Sequence, residues 1–280
     1  MAQQMGFLTT LTTNTLLYPK RARELQGKVD MLHFSLDAAT AERHNAIRGQ
    51  VPCFEFFERS LEVALSLGEK PDILFTVTAE NWQDIEDIYK RYIESMGLLL
   101  ILNPVFAYRE VGEALPEEVL SVLAQWAKKP GVYVNEAFLT LRRQGGNNVY
   151  APVCRASSAV VVISPANELL LPCYHAAEAG YAFPIENNLY ELYQSDPAKH
   201  LRKLEGRFSF CQDCVINCYF EPSFSWEVSR YFWLSLPSTW RYIRQKWGLW
   251  GALKLWWQRR GLGDYWARSR SRASLVTAFR

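Results

Sequence analysis

Hydrophobic and polar positions in the first hundred residues follow two alternating rhythms. GFLTTLTTN (6–14) is apolar and β-branched and predicts a strand; NTLLYPKRARELQG (14–27) then turns helical. VDMLHFSLD (29–37) predicts a second strand. CFEFFERSLEVALSLG (53–68) has helical spacing and a glycine stop at Gly68. PDILFTVTAEN (71–81) predicts a third strand, and WQDIEDIYKRYIESMG (82–97) an amphipathic helix that opens with acids and stops at Gly97. LLLILNPVF (98–106) is apolar along its length, as strands covered on both faces are. Four strand-then-helix units in a row predict an α/β fold with parallel strands and crossover helices. Ligands of such sheets sit at the carboxyl ends of the strands, which here read TTN, SLD, TAEN and NP, all polar.

LPEEVLSVLAQWAKK (115–129) predicts one more helix, and RRQGGNN (142–148) a loop. The rhythm then changes. SSAVVVIS (157–164), PAN (165–167) and ELLLPCY (168–174) predict strand, turn and strand, a β-hairpin. No internal repeat or low-complexity segment interrupts the chain.

Charge divides the molecule where hydropathy does not. The 280 residues carry a net +2, but Arg230 to Arg280 hold eleven Lys/Arg against the single acid Asp264, so the preceding residues carry −8. A body and a tail with different partners are expected. Apolar content of 49% excludes a disordered chain. MAQQMGFLTT lacks the basic-then-apolar order of a secretory signal, and no apolar run is long enough to span a bilayer. The expectation is a cytoplasmic protein, with membrane association through the tail as an addition. In a reducing cytosol, clustered cysteines serve metals or catalysis more often than disulfides.

Five of the six cysteines, Cys154, Cys173, Cys211, Cys214 and Cys218, lie within 65 residues. Cys-x2-Cys spacing turns two sulfurs toward one metal. The hairpin, with Cys154 before it and Cys173 at its far end, supplies two more. Four thiolates suit a tetrahedral zinc or a 4Fe–4S cluster, and spacing alone does not choose between them; the plain alternative is five buried or free thiols with no metal. Cys218 is surplus to a four-ligand site. Cys53, alone on a helix, is expected in the core. His33, His44, His175 and His200 show no i, i+4 zinc pairing; His44 is expected to be structural and His175, two residues after Cys173, a reserve ligand.

The segment Cys154-x18-Cys173 around AVVVISPANELLLPCYH, then NNLYEL, then Cys-x2-Cys-x3-Cys, resembles the auxiliary-cluster extension of radical SAM enzymes, of the twitch or SPASM type. The first half agrees in order: LTTN resembles the family's third barrel strand, HFSLDA its fourth, and ERHNAIRG the helix start that follows. The likeness covers residues 6 to about 222. It implies an incomplete (β/α) barrel over 1–150, a Cys-rich cluster domain over 151–225 and a basic Trp-rich tail over 226–280. It also implies S-adenosylmethionine beside Asn14, Ser35, Asp37 and Arg48, with Arg48 on the methionine carboxylate and Ser35 on a carboxylate or hydroxyl. The plain reading of Ser35 and Asp37 is helix capping, and of Arg48 a surface charge. In an intact member the cofactor is cleaved reductively to a 5′-deoxyadenosyl radical that takes hydrogen from the substrate or adds to it. Catalytic residues stay unassigned. The rival reading is a non-catalytic iron–sulfur or zinc module acting as a subunit.

Three departures stand out. The family's Cys-x3-Cys-x2-Cys loop is absent, Thr15 stands where its third motif has glycine, and Ala38 where its fourth does. The chain reads as a member lacking its front third, a truncated product or gene model. Residues 6–14 would then form an open apolar edge that invites a partner chain.

In the tail, WRYIRQKWGLWGALKLWW (240–257) predicts one helix with Trp240, Ile243, Trp247, Trp250 and Trp257 along a face. Arg241, Arg244, Lys246 and Lys254 lie largely elsewhere around it. Three readings stand: a helix lying on an anionic membrane, a helix docked on the domain, and, least favoured, nucleic-acid binding. A lipid substrate would favour the first. The PCYH, GY, Cys-x2-Cys-x3-Cys and FEP arrangement is similar to the hopanoid-pathway, adenosyl-transferring branch of the family, which handles a membrane lipid.

Overall fold

The computed structural model describes residues 2–106, 115–174 and 181–269, with side chains of the last helix described as far as Leu253. His175, Lys254 and Trp257 therefore lie outside the described side chains. Two compact units form: one from residues 2–105, 115–134 and 238–268, the other chiefly from 135–237. The second unit thus begins at Asn135 and takes in residues up to Pro237.

The first unit is a five-stranded sheet in the order β1 (Thr10–Thr13), β2 (Met31–Ser35), β3 (Asp72–Val77), β4 (Leu99–Pro104), β5 (Val132–Tyr133). Every neighbouring pair is parallel. Helices α1 (Tyr18–Leu25), α2 (Ala41–Arg48), α3 (Cys53–Ser66), α4 (Ile85–Ile88, continued by a wide turn over Tyr89–Glu94) and α5 (Glu117–Trp126) connect the strands. The core is apolar and aromatic: Phe34, Phe57, Phe75, Tyr92 and Leu100 are fully buried. Tyr18, Phe34, Phe57 and Tyr92 meet edge to face in succession. Cys53 is buried at the start of α3, as expected of a core thiol. β1 lies at the sheet's edge, with Phe7 and Leu8 exposed just before it.

The second unit holds α6 (Glu136–Arg143), α7 (Ala156–Ala159), an antiparallel sheet of β6 (Val162–Ile163), β7 (Glu168–Leu170) and β8 (Ala182–Pro184), then α8 (Leu189–Gln194), α9 (Asp196–Lys203) and α10 (Asn217–Trp226). The predicted hairpin is present but shortened. Ser157 to Ala159, expected as strand, are helical because the buried Glu205 carboxylate accepts from the N–H of Ser157 and Ser158 and from both hydroxyls. A distant acid thus caps the N-terminus of α7.

α11 (Arg230–Ser269) is broken at Gly248, whose φ of 66° is left-handed. The single tryptophan face expected over 240–257 is therefore interrupted there. Among the described residues no helix is long and apolar enough to cross a membrane.

Candidate functional site

The cysteine-bearing segments of the second unit are pulled together by one asparagine. Asn147, in the predicted loop, is 1% exposed. Its Nδ2 donates to the carbonyls of Gly206 (2.8 Å) and Cys211 (3.1 Å), and its Oδ1 accepts from the N–H of Val153 (3.1 Å) and Cys154 (3.2 Å). Its backbone adds Asn147 N–H to Cys214 O (3.0 Å) and Asp213 N–H to Asn147 O (2.8 Å). All four side-chain bonds and both backbone bonds are made, so the Cys154 and Cys211–Cys214 segments share one hub. Gly146 must be glycine for the same closeness: its φ is 87°, and a Cβ would stand 2.6 Å from Asp213 O. At Gly206 a Cβ would stand 2.7 Å from Pro152 Cβ.

The result is a cavity of about 40 Å³ lined by Cys154, Cys173, Cys211 and Cys214, with Asn147, Phe210, Ile216 and Tyr219 closing it. Cys154 and Cys211 are buried, Cys173 and Cys214 half-buried, and Cys218 exposed. Burial first, then repulsion from neighbouring thiolates, pushes the thiols up: Cys211 to about 12, Cys214 and Cys218 to about 11, and Cys154 higher still. The neighbours felt by Cys218 include Cys173 and Cys214, so the fifth thiol lies near those two. Backbone groups of Ala156, Gly206, Phe208 and Ile216 hydrogen-bond the sulfurs and offset part of the rise. Such a set is protonated when alone and would become anionic around a cationic core, so its chemistry fits a metal–sulfur group. Among the described residues, no three His, Cys, Asp or Glu side chains converge closely enough to grip a single metal ion.

The strand ends of the first unit gather a second set. Thr13 pairs with Phe34, which makes Asn14 and Ser35 neighbours at the carboxyl ends of β1 and β2. Asn14 is exposed, and its Oδ1 accepts from Leu16 N–H at 3.4 Å; Ser35 is half-buried. Two residues on, buried Asp37 meets Arg48, with Nε 2.6 Å from Oδ2. The pair is a close charge contact without aligned hydrogen-bond geometry, and Asp37 Oδ1 lacks an aligned partner. Burial raises the Asp37 carboxyl above its ordinary value; Arg48 and a backbone hydrogen bond at Thr76 hold it back.

His44 sets this corner. Its Nδ1 accepts from Asp37 N–H at 3.1 Å, and burial, with Arg48 close by, pulls its pKa down to about 4. The neutral imidazole is thus a structural acceptor. Asn81, 2% exposed, completes the corner by donating to the carbonyls of Asp37 (3.0 Å) and Thr76 (2.9 Å). Asn81 and Asn147 both escaped the sequence reading; each is an ordinary polar residue in a loop until distant carbonyls arrive beside it. Thr15, in the glycine position, is fully buried at a φ of 71°, a strained conformation for a β-branched residue.

No family model and no curated protein matches the sequence. Solved structures do. The chain is similar to hexahistidine-tagged anSMEcpe with bound AdoMet, with a TM-score of 0.53, 17% identity and coverage of 90% of this chain and 74% of that one. It is also similar to native anSMEcpe with bound AdoMet, with a TM-score of 0.52, 18% identity and coverage of 83% and 71%. That neighbour is a radical SAM/SPASM-type sulfatase-maturating enzyme. The likeness establishes the fold: a parallel α/β sheet of radical SAM-like partial-barrel type, with a separate small antiparallel sheet.

Proposed function

We propose that this chain is an iron–sulfur protein of the radical SAM type, holding an auxiliary 4Fe–4S cluster on Cys154, Cys173, Cys211 and Cys214. One observation carries the reading: four thiols from three separated segments line one cavity. A tetrahedral zinc, with Zn–S bonds of about 2.3 Å, draws its thiolates to roughly 3.8 Å of one another. A cubane core spaces its ligands more widely, which suits thiols ringing a cavity. Bound there, the cluster would supply one-electron exchange. Asn147 orients two of the three segments, the raised thiol pKa values set a proton release on loading, and Cys218 stands alongside as a spare ligand.

S-adenosylmethionine belongs, on this reading, at the carboxyl ends of β1 and β2. Support comes from the AdoMet in the structural neighbours and from the grouping of Asn14, Ser35, Asp37 and Arg48. The Arg48 contact to Asp37 uses Nε, and the terminal guanidinium nitrogens form the fork that takes a carboxylate bidentately. Asp37 in turn offers an acceptor to the cofactor's ammonium or hydroxyl groups. A further strand pairing along the open edge of β1 is part of the proposal.

The second reading, a non-catalytic module, is favoured by one fact: these 280 residues contain no Cys-x3-Cys-x2-Cys. Anaerobic purification followed by iron, sulfide and zinc analysis tests the cluster. About four irons and four sulfides per chain, lost in Cys154→Ser and Cys211→Ser but kept in Cys53→Ser, is the expected result. A colourless protein with stoichiometric zinc would overturn it. Incubation with reductant and S-adenosylmethionine then separates enzyme from module, with no 5′-deoxyadenosine expected from this chain by itself.

A further inference from the structure

The segment of α11 in the first unit has two faces with different fates. Its inner face is spent: Tyr242 Oη donates to Asp72 Oδ2 and Lys246 Nζ to Asp72 Oδ1, each at 2.6 Å, and Ser238 is 2% exposed. Its outer face is not. Trp240 is 55% exposed, and Arg244, one turn on along the same side, is exposed too. Past the break at Gly248, Leu249, Trp250 and Leu253 share a face by their three- and four-residue spacing, and Trp250 is 85% exposed.

We propose that these exposed side chains on either side of the break, Trp240 and Arg244 before it and Leu249, Trp250 and Leu253 after it, form a docking surface for an anionic lipid bilayer. Charge complementarity selects the occupant. The tail from Arg230 onward has eleven basic residues and one acid, a density that an anionic leaflet attracts at about 1 kcal/mol per residue near the surface. A second copy docked through the same face would bring like charge against like charge. Nucleic acid would answer the charge and stack on the tryptophans, but it offers nothing to Leu249 and Leu253. A membrane interface answers all three features: hydrocarbon for the leucines, the headgroup layer for indoles, anionic lipid for arginine. With the inner face fixed by Asp72, the domain would ride on the leaflet through a helix already folded, so binding carries little ordering cost. The inference is independent of the cluster.

Flotation of the full chain with phosphatidylcholine vesicles, with and without phosphatidylglycerol, tests it. Binding is expected to the anionic vesicles, to weaken with salt, to fall roughly fivefold in Arg244→Gln and roughly tenfold in Trp250→Ser or Leu253→Ser. These side chains are exposed, so unchanged circular dichroism is expected and separates lost docking from lost folding. Vesicle binding that is absent, or equal in wild type and variants, overturns the proposal. So does tight binding of a single-stranded oligonucleotide that anionic vesicles fail to displace, or a dimer that Trp250→Ser abolishes.

Discussion

Two buried aspartates stand at opposite ends of the parallel sheet and are treated differently. Asp72 opens β3 at the amino end and is 1% exposed. It receives a phenol, an ammonium and, 3.6 Å away, the ring of His33. Asp37, past the carboxyl end of β2, has one guanidinium in imperfect geometry, a backbone hydrogen bond at Thr76, and an Oδ1 without an aligned partner. A carboxylate whose two oxygens each accept a 2.6 Å hydrogen bond, one of them from an ammonium, is an anchor. A carboxylate kept partly unsatisfied stores recognition capacity at the strand ends where parallel α/β sheets bind their ligands. The difference separates an anchored end of the sheet from an end that keeps an acceptor spare, without appeal to any motif.

The comparison breaks most readily at its anchored end. Lys246→Met leaves the Asp72 charge buried without its cation and is expected to cost about 3–5 kcal/mol in denaturant unfolding of the full chain. Adding Asp72→Asn should return part of that loss. A Lys246→Met protein as stable as wild type would make Asp72 no anchor at all.

A smaller effect sharpens the other end. His44 titrates at about 4 when folded against 6.5 when free, so the unfolded chain binds more protons between those values. Stability should therefore rise with pH from about 4 to 6.5 and be lost as pH falls, by at most about 3 kcal/mol. Asp37 opposes this. Its raised folded value makes the folded chain bind more protons, so its contribution declines as pH climbs above 3.8. The charged groups facing His44 are Arg48 and Glu55, with Asp37 joined through its backbone. Unfolding midpoints of wild type, His44→Gln and Asp37→Asn across that range resolve the two slopes; Asp37→Asn should steepen the rise and His44→Gln should remove it.

The smallest expected effect is at Thr15. Glycine there relieves a left-handed threonine and should raise stability by about 1 kcal/mol, read as a shift in the unfolding midpoint. An unchanged or lower midpoint would mean that the buried methyl outweighs the strain.

Much of the first unit could be read from the chain because its signals are local. β1 to β4 each begin and end in a short stretch whose alternation, glycine stop or acid-rich start lies within a few residues. The cysteine grouping was legible for the same reason: spacing is a property of the sequence itself. What escaped depends on partners far along the chain. The helical turn at Ser157 exists because Glu205 reaches it, and β5 is two residues long and readable only from its pairing with β4. The break at Gly248 hides in a run of helix formers, since one glycine within a helix is ordinarily tolerated. Asn147 is the extreme case, with a role defined wholly by Val153, Cys154, Gly206 and Cys211.

That asparagine has a consequence for assembly. Domains whose cysteines are brought together only by their metal stay unfolded until it binds. Here amide and carbonyl groups join two of the sulfur-bearing stretches of chain directly to each other. On the cluster reading proposed above, loading would have less of the polypeptide left to shape, because two of the three cysteine-bearing stretches are already joined to each other.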